Sequence, residues 1–203
     1  MKKKKLILAA IALFAILVVG GATAYFTDTE TVTNTFTLGS VEITLTEPHW
    51  KPELAEGILP GAVLAKDPRV TNVGESPAYV FLKVEEPCYN TTKVFDYTPD
   101  TKWTVVGTQQ TCSTTGTIEN VYAYGTSSAM TELAKDANTG DFFTEITLKD
   151  TLESDAVTAL NNKFPDGLDV VITAYAIQKD NLGLDSDTPA AVWAKFTPAT
   201  PTP

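Results

Sequence analysis

One histidine, two cysteines and 25 carboxylates are what this 203-residue chain offers for chemistry. A catalytic zinc site ordinarily takes two histidines and an acid, as in H-E-x-x-H. Here His49 stands alone between Pro48 and Trp50 and reads as a loop residue. The same single imidazole would have to serve any serine triad, and no G-x-S-x-G elbow accompanies it. Neither a glycine-rich phosphate loop nor a basic patch is present, and the carboxylates are too many for a catalytic pair to stand out. The residues therefore argue against an enzyme, and no cofactor is expected.

Two further groups have the residue types of a site. Asp136, Asn138 and Asp141 space oxygen donors like part of a calcium loop, but the closing bidentate glutamate is missing. A turn is the simpler reading, and calcium binding there would be weak. The acids Asp180, Asp185 and Asp187 read the same way. Cys88 and Cys112 lack the C-x-x-C spacing of a metal or redox pair. In an exported chain they can join as a disulfide, adding about 3–4 kcal/mol in the chain-entropy account; two separate buried thiols are the alternative. Asn90-Thr91-Thr92 is a glycosylation sequon of a kind that arises often in threonine-rich chains. Trp50, Trp103 and Trp193 are widely spaced and read as packing residues.

The first 24 residues stand apart from any fold. Lys2 to Lys5 make a positive head, and Leu6 to Val19 are 14 unbroken apolar residues. Gly20-Gly21 break the run, and Ala22-Thr23-Ala24 offers a small-x-small cleavage site. That is the pattern of a secretory signal peptide. A retained anchor is the alternative, because the 19 residues from Leu6 to Ala24 approach the length of a membrane span. The glycines and the Ala-Thr-Ala site favour removal. Cleavage after Ala24 would make Tyr25 the new N-terminus and leave no membrane segment. Four basic residues leave with the leader and no acid does, so the net charge falls from −10 to −14. Such a surface repels nucleic acid and anionic lipid. What remains is the size of one domain.

Threonine recurs throughout, in short runs with Val, Ile, Tyr and Phe, residues that suit a pleated sheet. Strands are expected over 41–45, 69–71, 78–85, 102–109, 117–124, 142–148 and 168–178, separated by turn residues such as Pro165-Asp166-Gly167. Val41-Glu42-Ile43-Thr44-Leu45 alternates cleanly and predicts one core-facing side. The more continuous apolar runs at Val80–Val84 and Val170–Ile177 read as central strands. Short helices are expected at 128–136, at 154–164 with Ser154 as cap, and at 188–196, where Thr188-Pro189 pairs a cap with a first-position proline. Many short strands with this punctuation point to a sandwich or barrel. The tail, 197–203, holds only Thr, Pro and Ala and reads as extended and disordered.

The segment 25–38 raises a different question. Threonine fills every odd position from Thr27 to Thr37, while the opposite face carries Phe26, Val32, Phe36 and Leu38 with polar residues between them. Such a strand is poor core material for its own domain. Beyond Gly39-Ser40 the apolar parity flips, which predicts a bend between two strands. A strand with a freshly cut end and a hinge behind it can add to the sheet edge of another copy. A head-to-tail contact of that sort builds filaments. An ordinary edge strand folded on its own sheet fits the pattern as well.

The stretch GGATAYFTDTETVTNTFTLGSVEITLTEPHW, together with KDPRVTNVGESPAYVFLKV and ITAYAIQKD, resembles the TasA/camelysin family. These are proteins secreted by Gram-positive bacteria through a dedicated signal peptidase, with related archaeal bundling pilins. The resemblance implies an all-β, jelly-roll β-sandwich over 39–196 with a few short helices in its connections. It also implies a structural subunit of an extracellular biofilm-matrix fibre or pilus. Its partners would be the signal peptidase and then other copies of itself, in a head-to-tail filament. The donor strand would be 25–38, with Tyr25, Phe26, Val32, Phe36 and Leu38 as its contacts, freed by cleavage at Ala22 and Ala24. One branch of the family is classed as a metalloprotease. A camelysin-like protease and a monomeric cell-surface binding module are thus the other two expectations.

Overall fold

In the computed structural model the described residues are 40–112 and 114–195, and everything said of structure concerns these. They form ten strands and two short α-helices. The strands are β1 (Ile43–Thr46), β2 (Val63–Ala65), β3 (Arg69–Asn72), β4 (Ala78–Tyr89), β5 (Thr92–Lys93), β6 (Phe95–Asp96), β7 (Trp103–Val105), β8 (Gly116–Tyr124), β9 (Glu145–Leu148) and β10 (Val171–Gln178). The helices are α1 (Ser154–Lys163) and α2 (Pro189–Lys195), and a 3-10 turn spans Pro52–Leu54. All strand pairs are antiparallel. The largest sheet runs β10-β4-β8-β7 with β5 on the end of β4; a second runs β2-β9-β6, and β1 pairs with β3. No helix among the described residues is long and apolar enough to cross a membrane.

One core is shared by all three sheets. It takes Val80, Leu82 and Val84 from β4, Ile146 and Leu148 from β9, and Val70 from β3, with Leu160 of α1 closing it. A second, smaller cluster lies on the opposite face of β4, where Tyr79 and Phe81 meet Val192 of α2, with Trp193 packed against it. β4 is therefore covered on both faces, which is why its apolar run is continuous. In β1 the alternation holds as expected: Ile43 and Leu45 pack toward the core while Thr44 and Thr46 face water.

Three expectations are corrected. The run at Val170–Ile177 does not make a central strand: among the described residues β10 stands at the edge of its sheet, paired with β4 alone. The run is apolar because Ile172, Ala174 and Ala176 pack on the main core while Tyr175 and Ile177 pack on the smaller cluster. Two covered faces mimic two paired edges in sequence. Residues 128–136 are not helical. Their backbone is drawn into bridges between Gly125 and Met130 and between Ala78 and Leu133, and Met130 N donates to Asp187 O. Nine residues give too little intrahelical bonding to outweigh such tertiary partners. The third concerns α1: its N-cap is Glu153, without a side-chain cap bond, and Ser154 lies inside the helix. In α2, by contrast, Thr188 Oγ1 accepts from Ala191 N at 3.4 Å, behind the expected proline. The strands expected at 102–109 and 142–148 shorten to β7 and β9; β2, β5 and β6, of two or three residues each, carry too little pattern to be read in advance.

Candidate functional site

A concavity lies between α1 and the β2-β9-β6 sheet. It is a cleft of about 610 Å³. Its floor reaches the core at Phe95, Ile146, Leu148 and Leu160; Leu59 and Leu168 stand on its sides. Local chemistry shapes both flanks. Gly61, at φ +90°, donates from its N–H to Leu148 O, and Leu148 N returns a bond to Ala62 O, so the 57–62 loop is tied to β9. Gly167, at φ +123°, closes the Pro165-Asp166-Gly167 turn in a conformation other residues rarely adopt, and directs the chain from α1 into β10. Exposed apolar residues gather at this end of the molecule: Leu59 is 74% exposed, with Val63 on β2 and Val171 at the start of β10 also open to solvent.

A polar cluster holds one wall. Trp50 and Lys66 both line the cleft, and Lys66 Nζ lies 4.6 Å from the Trp50 ring centroid. Lys66 Nζ also pairs with Glu47 at 2.8 Å. Next to them, Asp67 is only 2% exposed. Its Oδ1 accepts from His49 N at 2.9 Å and its Oδ2 lies 2.7 Å from His49 Nδ1. Facing a carboxylate, Nδ1 carries the proton. Arg69 stands 3.7 Å from Asp67 and pairs with Asp141 at 2.6 Å. Nothing local in the sequence marks Asp67 as the partner of a histidine 18 positions away; the contact arises only where the chain leaving β1 meets the chain entering β3.

The residues singled out by sequence fall in several places. Cys88 and Cys112 form a disulfide that ties the end of β4 to the loop before β8. Asp136, Asn138 and Asp141 do not converge: Asp136 turns the chain at φ +61°, Asn138 Oδ1 accepts from Gly140 N, and Asp141 is taken by Arg69. Among the described residues no group of three His, Cys, Asp or Glu is placed to hold a metal ion. Trp103 packs in the main core against Phe142, and Trp193 packs on Phe81. Ala22, Ala24, Tyr25, Phe26, Val32, Phe36 and Leu38 lie outside the described residues, as do the leader and the tail.

The β1–β4 half of the fold, with its Glu47–Arg69 cluster, falls in the part of the chain that is similar to known proteins. Residues 1–92 match the camelysin metallo-endopeptidase family. This agrees with the resemblance read from the sequence and supports a secreted, camelysin-related protein. No curated protein matches the chain. The camelysin name implies a metal, and the donor set does not suit one of the catalytic zinc type. The only histidine has Nδ1 committed to Asp67, and the nearby acids are committed to His49, Lys66 and Arg69. Three convergent protein ligands are the usual requirement for such a site.

Proposed function

We propose that this camelysin-related chain is a structural subunit of an extracellular fibre of the biofilm-matrix kind. Its body is a jelly-roll sandwich, and it polymerises when residues 25–38 of one copy complete a sheet of the next. The observation that carries this reading is the edge of β10. This is an eight-residue strand without charge or proline, hydrogen-bonded on one side only among the described residues. Natural proteins usually protect so long an apolar edge. β1 runs beside β10 without a ladder between them, and Trp50, beyond β1, and Val170, just before β10, both line the cleft. A strand entering there would gain main-chain hydrogen bonds from the edge and apolar contacts for alternate side chains. Phe26, Val32, Phe36 and Leu38 offer such contacts from one face.

Negative-stain microscopy of mature protein beginning at Tyr25 tests the proposal: filaments are expected. Removing residues 25–37 should leave a folded monomer that no longer polymerises, and discrete particles from the intact mature chain at every concentration would sink it. The family's name favours a second reading, a secreted metallo-endopeptidase. Chelator-sensitive cleavage of casein by pure protein would establish that reading. Sedimentation of the mature protein as a monomer would leave a cell-surface binding module.

A further inference from the structure

We infer that the cleft is the receptor for the processed N-terminus of a second copy, with the Tyr25 α-amino group set against Asp166 and Asp169 and the Phe26 ring in the apolar interior. This rests on the fibre reading above and adds a chemical identity for what enters first. The charge of the lining is one-sided. Asp166 and Asp169 are exposed at the cleft and form no ion pair among the described residues. The one base in the lining, Lys66, is already neutralised by Glu47 at 2.8 Å. The cleft therefore presents two uncompensated carboxylates above a floor of Phe95, Ile146, Leu148 and Leu160. That combination asks for a cation joined directly to apolar bulk. The chain supplies one in the amine of Tyr25 followed by the two aromatic side chains of Tyr25 and Phe26. A volume of about 610 Å³ lies within the range of about 300–1,000 Å³ that receives ligands of that size.

The path fits as well. The cleft adjoins the Val171 end of β10, since Leu168 and Val170 line it. Fifteen residues, 25–39, reach roughly 50 Å when extended. The eight residues of β10 occupy roughly 26 Å. A donor anchored at Tyr25 thus has more chain than the span of β10 and residues left to join its own domain. The amine also carries a control. Before cleavage the Tyr25 nitrogen is a neutral amide behind the leader, so the cationic group exists only after the peptidase has acted. Assembly is thereby coupled to processing.

The test follows seeded elongation of mature protein by sedimentation and microscopy. It compares the unmodified chain with an N-acetylated chain, with Phe26→Ala, with the double variant Asp166→Asn/Asp169→Asn, and with Asp136→Asn as a distant acidic control. Circular dichroism confirms that each is folded. Acetylation and the double variant are each expected to slow elongation tenfold or more, and Phe26→Ala to do at least as much, with Asp136→Asn unchanged. Equal elongation by the acetylated chain would overturn amine capture while leaving the fibre reading intact. No filaments from the unmodified chain would overturn the fibre reading itself. A disulfide formed within single chains of the double variant Phe26→Cys/Leu168→Cys, independent of concentration, would show the cleft filled by its own segment and overturn the second copy as occupant.

Discussion

The polar residues of this domain are placed to hold structure, and their energetics can be tested one at a time. Asp67 is buried and accepts two bonds from His49, one from backbone and one from the ring. The ring is largely solvated, with its side chain 73% exposed, so the ring pair is screened and the backbone bond to a buried acceptor matters more. Asp67→Ala should cost about 1–3 kcal/mol by leaving these donors unpaired, measurable as a lower urea midpoint. His49→Ala should cost less. Glu86 is fully buried on the core side of β4, where its Oε1 accepts from Lys93 Nζ at 2.7 Å and from the Tyr97 hydroxyl at 2.8 Å. Burial, and then the Glu86 charge, push the Tyr97 hydroxyl far above the ordinary tyrosine range. Burial and the hydrogen bond to Asp187 do the same for Tyr79. The folded state thus holds these protons more tightly than the unfolded state. Their contribution is complete below about pH 10, where unfolded tyrosines titrate, and stability declines as pH rises beyond that. Melting temperature should therefore fall above pH 10, with a shallower slope in Tyr97→Phe; an unchanged slope would refute the assignment. Asp67 and Glu86 are unremarkable in sequence because each acquires its partners from another strand or loop.

At the scale of elements, two attachments can be separated from the rest. The disulfide closes a 24-residue separation between β4 and the loop before β8. Replacing both cysteines by serine should cost about 2–4 kcal/mol, and reduction of the wild type should shift its denaturation midpoint to match. α2 is too short to stand alone. It is held by Val192 and by Trp193, whose ring lies 5.0 Å from Phe81 and 5.6 Å from Tyr175. Trp193→Ala should cost about 3 kcal/mol and release the helix, read as new protease cleavage after Lys179 or Lys195. The elements legible in the sequence are those with their own pattern: β1 by alternation, β4 by its continuous apolar run, α2 by its Thr-Pro start. The 128–136 segment reads as a helix because its apolar spacing suits one, but its backbone partners lie on β4, in Gly125 and in Asp187.

For the whole molecule, assembly turns on what lies along β10 and what enters the cleft. A domain lacking residues 25–37 should melt within a few degrees of the mature chain at low concentration, because in the fibre reading that segment completes the sheet of another copy. A large loss of stability would mean that the segment completes its own sheet. By itself the sequence determined that the domain is all-β and where most turns fall. Those properties come from period-two patterning and from the backbone preferences of Gly, Pro and Asn, which are local. The tertiary structure decided that β10 sits at an edge among the described residues, that Asp67 holds His49, and that a cleft opens beside α1. Each of these depends on which distant segments become neighbours, and side-chain pattern along one strand reports the covering of its faces but not the pairing of its edges.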